Sequence, residues 1–335
     1  MQRNNLLFPS NSVPSLLLFA FQDTLPSTSM FWIKTKGDGE QMNFGQLITA
    51  MVTPFDEQGE IDFIATRNLI NHLLENGSDG LVVAGTTGES PTLTQKEKVN
   101  LFEFTVQVVA GRVPVIAGTG SNNTRESIEL TQQAEAAGVD GIMLVVPYYN
   151  KPSQEGMYQH FKVIAESTSL PIMLYNIPGR SSVNMSSETI IRLATIPNIV
   201  AVKEASGNLD AMADIIENTP SNFALYSGDD GLTLPVLSIG GAGVVSVSAH
   251  VIGPEMKTMI GYFNNGRLRE AATLHRRMLP IMKELFSAPN PSPVKAALNL
   301  EGVTVGGVRL PMLPLNDVQM SSLNRVLHQH DKMLI

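Results

Sequence analysis

The sequence predicts an α/β fold, a (β/α)8 TIM barrel with a C-terminal helical extension. Short, near-continuously apolar runs recur eight times, and such runs mark parallel strands buried on both faces. Each run is followed by a polar or Gly-rich turn and then by a segment of helical period. Eight such units in about 220 residues match the repeat of a closed barrel.

In chain order the runs are Leu47–Val52, Leu81–Ala84, Val113–Ala117, Ile142–Val146, Ile172–Tyr175, Ile199–Val202, Phe223–Tyr226 and Gly243–Val247. Between them, Ile64 to Leu74 places Ile64, Leu69, Ile70, Leu73 and Leu74 on one helical face and ends near Gly77. Thr94 followed by Glu97 has the form of a capping box. Ser127 to Ala137 ends at Gly138, a natural helix stop. After the eighth run strands cease. Arg267 to Phe286 carries an apolar helical stripe interrupted by Pro280, and Pro293–Leu300 and Met320–Leu327 are further helical segments. The organisation expected is therefore a barrel over 43–266 and a helical region over 267–335. Residues 1–42 stand apart: the first 41 are rich in Ser, Asn and Pro without periodicity, and read as a disordered extension or an upstream start, with Met42 as the working start.

Composition narrows the function. Charged residues are 16% of the 335-residue chain, below the roughly 25% usual for soluble domains, so much of the surface is buried. A net charge of −8 without a basic stripe argues against a nucleic-acid partner. With no Cys, thiolate nucleophiles and disulfides are excluded, which fits a cytoplasmic location. No run reaches the roughly 18 apolar residues of a membrane span. Leu16 to Phe21 is short and lacks a small-residue cleavage site, so no signal peptide is expected.

Catalytic residues of such barrels sit at the C-terminal ends of strands and in the loops beyond them. Lys203 ends the sixth run and shares a strand face with Ala201. If that face is the barrel interior, its ammonium loses solvation and a neutral amine becomes available to attack a carbonyl. The strand alone equally allows a lysine that reaches solvent. Gly85-Thr86-Thr87-Gly88-Glu89-Ser90 follows the second run; glycines, amides and two hydroxyls suit a small carboxylate, and the lysine of a nucleotide-binding loop is missing. Gly118-Thr119-Gly120 reads as a plain turn. Tyr148, Tyr149 and Tyr175 lie at strand tips, where a phenol shuttles protons if another hydroxyl is near and otherwise packs. Arg180, in a loop shaped by Pro178 and Gly179, offers a fork for a carboxylate or a surface salt bridge. Asp229 and Asp230 follow Ser227-Gly228. The six His are scattered and none has ligand spacing to them, so no metal and no cofactor is expected.

Taken together, G-T-T-G-E-S at 85–90, P-Y-Y-N-K-P at 147–152, Y-N-I-P-G-R at 175–180, V-K-E-A-S-G at 202–207, S-G-D-D at 227–230 and P-N-P-S-P-V-K at 289–295 resemble the dihydrodipicolinate synthase family of the class I pyruvate aldolases. The resemblance covers about residues 43–335. It implies condensation of pyruvate with aspartate semialdehyde, without cofactor or metal, in lysine (diaminopimelate) biosynthesis. It further implies that Lys203 forms a Schiff base with pyruvate and that Tyr175 exchanges protons, linked through Thr86 to Tyr149 of a neighbouring subunit. Thr87 and the backbone near Val245 would hold pyruvate, Arg180 the carboxylate of the semialdehyde, and Gly228 would shape the pocket. A homo-oligomer follows, a tetramer by family habit, built as a dimer of dimers.

Two other readings remain at this level. Sister aldolases, such as N-acetylneuraminate lyase and the keto-deoxy sugar-acid aldolases, share the barrel and lysine; Arg180 and Thr87 point away from them. A non-catalytic barrel that only binds an oxo acid would have no need of a hydroxyl relay. Ser90, Asn122, Glu126 and Tyr148 match the family's lysine-effector site. Gln95 and Lys98 stand where lysine-sensitive members often carry histidines, and Lys98 adds a cation beside a cationic effector, so feedback inhibition is expected to be weak or absent.

Overall fold

Alternation along each apolar run decides what its strand faces. The computed structural model describes residues 44–334, so the expected N-terminal extension lies outside the described residues. The strands are β1 (Leu47–Ala50), β2 (Gly80–Val83), β3 (Val115–Gly118), β4 (Gly141–Val145), β5 (Ile172–Asn176), β6 (Ile199–Glu204), β7 (Ala224–Ser227) and β8 (Gly243–Ser246). Each pairs in parallel with its sequence neighbour, and β8 closes on β1. The fold is the expected barrel.

Residues of opposite parity fall into two separate cores. Ile48, Val82, Ile116, Met143, Met173, Ala201 and Val245 fill the inside, with Phe44 in the same cluster. Leu47, Leu81, Val115, Ile142, Ile172, Val202 and Val244 face outward onto the helices. Both sets are buried, which is why the runs carry no polar alternation. The strand β6 extends past the apolar run to include Lys203 and Glu204.

The helices start where local chemistry allows. Asp62 caps Phe63–Glu75 by accepting from the Ile64 and Ala65 amides, and Ile64 itself is 78% exposed rather than on the buried face. The Thr94–Glu97 capping box is formed at the head of Gln95–Val109. Asn123 starts Thr124–Ala136 one turn earlier than the apolar pattern suggested. The helix Leu268–Glu284 runs through Pro280 rather than breaking there. The carbonyl that loses its partner belongs to Arg276, on an exposed face where water can serve it.

After this helix come Ser292–Leu300 and Asp317–Leu334. Their buried residues Val294, Leu298, Leu323 and Leu327 join the same cluster as the outward-facing strand residues, so the C-terminal helices extend the outer core. Among the described residues no helix is long and apolar enough to cross a membrane.

Closure depends on a close backbone approach. The Val244 amide donates to the Gln46 carbonyl at 2.8 Å, and a Cβ on Gly243 would collide with that same carbonyl. Gly243→Ala is expected to push β8 away from β1 and to destabilise the protein by about 1–3 kcal/mol. A urea midpoint equal to that of the unsubstituted protein would show that the seam tolerates a methyl group.

Candidate active site

The inward parity of β6 carries Ala201 and then Lys203 into the barrel mouth, where Lys203 is only 5% exposed. On either side its register partners are Tyr175 of β5 and Tyr226 of β7. Its Nζ lies 4.4 Å from the centroid of the Tyr175 ring. Gly228, just beyond β7, leaves the space this side chain occupies: a Cβ there would stand 3.2 Å from both Cγ and Cε of Lys203 and 2.6 Å from Cβ of Ala205.

Burial holds the Lys203 ammonium down to about 8, helped by the nearby Arg180 cation and opposed by the carboxylate of Asp230. At pH 7 that leaves about a tenth of the amine neutral, against about three parts in ten thousand for an ordinary lysine. Burial likewise pushes the Tyr175 phenol up to about 12, although Arg180 and a hydrogen bond with Thr86 act against it. The phenol therefore keeps its proton at neutral pH. The site combines an amine with an appreciable neutral fraction and a protonated hydroxyl pair, the equipment for carbonyl attack and proton exchange.

Arg180 sits on the exposed turn Pro178–Ser181 beyond β5. What fixes that turn escaped the reading of the sequence. Glu204 follows Lys203 with opposite parity but is 2% exposed, so its carboxylate needs donors. It accepts from Asn176 Nδ2 at 2.9 Å and from the Ser206 amide at 2.7 Å. Asn176 also receives the Met185 amide at 3.0 Å, pinning the far end of the Arg180 segment to β5.

The loop at 85–90 divides its work. Thr86 meets Tyr175. Thr87 is buried, and its hydroxyl accepts from Asn290 Nδ2 at 2.9 Å. Glu89 turns away from the mouth, with φ at +55°, and forms a buried ion pair with Lys295 at 2.8 Å. It also accepts from the Arg309 amide at 2.9 Å. The P-N-P-S-P-V-K segment, to which sequence reasoning gave no physical task, is thus the brace behind the threonines.

The two adjacent aspartates separate. Asp229 caps the short turn Asp230–Leu232, while Asp230 is buried and accepts from the amide and hydroxyl of Ser248 at 2.9 and 2.8 Å. No cluster of three or more His, Asp or Glu that could hold a metal occurs among the described residues.

A cavity of about 250 Å3 opens beside Tyr175, lined among others by Thr86, Arg180, Ser90, Lys98 and Tyr148. Lys203 and Thr87 do not line it; Lys203 lies against the Tyr175 ring that forms its wall. Val245 is buried in the inner core on β8. Tyr149 is not brought to Thr86 within one chain: it is 86% exposed, with φ at +71°. Lys98 is half-buried, its ammonium lowered by burial and supported by the charge of Glu126.

The model of the dihydrodipicolinate synthetase family matches residues 43–330. A 4-hydroxy-tetrahydrodipicolinate synthase of Bacillus velezensis is 63% identical over 288 residues, 86% of this chain and 100% of that protein. The crystal structure of a dihydrodipicolinate synthase from Bacillus anthracis superposes with a TM-score of 0.85 at 57% identity, covering 86% of this chain and 98% of that one. A lysine-bound structure from Cyanidioschyzon merolae gives a TM-score of 0.85 at 51% identity, over 86% and 98% of the two chains. With a buried lysine at the barrel mouth and relatives of this similarity along nearly all its described length, the chain belongs to the dihydrodipicolinate synthetase family.

Proposed function

We propose that the protein condenses pyruvate with L-aspartate 4-semialdehyde to 4-hydroxy-tetrahydrodipicolinate, in the diaminopimelate route to lysine. The observation that carries this reading is the amine of Lys203, buried at the barrel mouth against the Tyr175 ring, its ammonium lowered to about 8. That amine attacks the pyruvate ketone and water leaves, giving an imine. The imine withdraws electrons, so the methyl group loses a proton and becomes an enamine carbon. This carbon forms the new bond to the aldehyde. The substrate's own amine then displaces Lys203, closing the ring.

Tyr175, through Thr86, carries the protons. Their shared place on the wall of one cavity, the pull of Thr86 on the phenol and the protonated state of that phenol support this role. Tyr149 completes the relay from a neighbouring subunit, a role supported by its exposure on the single chain. The working form is then a homo-oligomer, a dimer of dimers, in the cytoplasm. Thr87 and the backbone at Val245 hold the pyruvate carboxylate, and Gly228 keeps the space open for the imine. Arg180 takes the carboxylate of the semialdehyde and distinguishes this reaction from the sister aldolases.

Borohydride reduction in the presence of pyruvate tests the reading directly. Mass spectrometry should find a reduced pyruvate adduct on Lys203 and none on Lys203→Ala; a protein without adduct would be a binder, not an enzyme. Since only the neutral amine attacks, the initial rate of imine formation should climb about tenfold per pH unit below about 8 and level off above it. A rise continuing toward pH 10 would contradict the depressed ammonium.

Arg180→Ala should still form the pyruvate adduct, more slowly at neutral pH because the Lys203 ammonium loses the opposing cation. It should also raise the KM for the semialdehyde about 10- to 100-fold, the loss of charge-assisted hydrogen bonds. Equal turnover by both forms would remove Arg180 from substrate recognition. At the candidate effector site, Lys98 already supplies a cation to Glu126. Steady-state assays should therefore show weak or no inhibition by lysine, and half-inhibition at sub-millimolar lysine would overturn that expectation.

A further inference from the structure

We infer that Asn290, in the segment that returns from the C-terminal helices, is a positioning residue that sets Thr87 as a hydrogen-bond donor toward the carboxylate of the 2-oxo acid. This rests on the assignment of Thr87 to pyruvate in the proposed function. Asn290 Nδ2 donates to Thr87 Oγ1 at 2.9 Å, and both residues are at least nine-tenths buried, with 5% and 3% exposure. A hydroxyl has one proton and two lone pairs. With one lone pair committed to Asn290, the proton of Thr87 remains free for an acceptor. A carboxylate and a neutral carbonyl both accept, but the bond to the anion is charge-assisted and stronger, so a committed donor here favours the anion.

Packing does not explain the contact. Asn290 Oδ1 is buried and has no partner among the described residues, and such groups are costly unless they serve a purpose. An apolar residue of similar size would avoid that cost and lose only the bond to Thr87. The amide is also firmly held. Five residues on, in the helix Ser292–Leu300, Lys295 makes the ion pair with Glu89 that fastens this segment to the other end of the threonine loop. Asn290 and Lys295 thus grip the loop at two points, one at the carboxylate-binding hydroxyl and one behind it.

Asn290→Asp tests the polarity, because it keeps the shape and replaces the donor by an acceptor. The quantity to measure is the pyruvate concentration that half-saturates borohydride trapping, with thermal midpoints recorded for every variant. Relative to unsubstituted protein at the same pH, the Asn290→Asp value should rise by at least about tenfold at neutral pH. It should recover at low pH, where the new carboxyl regains a proton to donate. A structural defect would not recover in this way. Asn290→Ala, which lacks the added charge, should raise the value about 3- to 10-fold. Combined with Thr87→Val it should add nothing to the effect of Thr87→Val alone. Unchanged half-saturation in both Asn290 variants, or full additivity with Thr87→Val, would overturn the inference. Absence of any adduct in the unsubstituted protein would instead overturn the proposed function on which it rests.

Discussion

An amine inside a barrel must be kept uncharged enough to react yet soluble enough to stay in place, and the site is arranged around that conflict. Burial alone would drive the Lys203 ammonium lower than about 8; the Asp230 carboxylate pulls it back while the Arg180 cation pushes the other way. Asp230 performs this only because donors from Ser248 and Val247 hold it in the interior. Those donors follow β8, so the electrostatics of a lysine on β6 are set by the junction two strands away. Tyr175 walls the amine on the β5 side, its ring centroid 4.4 Å from Nζ. The Tyr175 face favours the charged form modestly, and burial outweighs it.

The same economy appears behind the pocket. Removing Lys295 and Glu89 from water is expensive, and a buried ion pair is often no more stabilising than apolar residues of the same volume. What the pair adds is a unique registration. Lys295 Nζ stands 4.2 Å from the Phe55 ring centroid and Arg309 Cζ 4.4 Å from the same ring. Arg309 also bonds Glu97 in the capping box of Gln95–Val109 and the Gly59 carbonyl. A single acidic residue in a left-handed turn, Glu89, thereby locks the β2 loop to elements more than 200 positions later in the chain. Sliding that interface by one residue would strand a buried charge, at a cost of several kcal/mol.

Local periodicity explains which parts could be read from the sequence. The eight strands were legible because burial on both faces leaves runs that are near-continuously apolar. The strand period put Lys203 on the face of Ala201 but left open which way that face turned; the inner cluster that holds Ala201 makes it the interior. Boundaries moved where a single residue decided them: Asn123 advances one helix, and Arg276 faces water so that Pro280 need not end another. The hidden supports were not legible. Glu204 looks like a polar residue past the strand end until its donors Asn176 and Ser206 are located. Asn290 and Lys295 meet partners 203 and 206 positions away, and no spacing rule reaches that far. A polar residue inside an otherwise apolar stretch, as Lys295 is beside Val294 and Ala296, was the one available signal that something buried needed a charge.

Tyr149 separates the two halves of the proposed chemistry. A tyrosine 86% exposed in the left-handed region contributes little to the fold of its own chain and is disfavoured there by its backbone. The groups that tune the amine, by contrast, all lie within one chain: Gly228, Tyr175, Asp230 and Arg180 each leave room for Lys203, touch it or act on its charge. In the proposed mechanism, capturing a ketone is thus a property of the single barrel, whereas extending the Tyr175–Thr86 hydroxyl pair calls on a residue that the same barrel leaves exposed. Assembly, on this reading, does not create the nucleophile. It gives the protons somewhere to go.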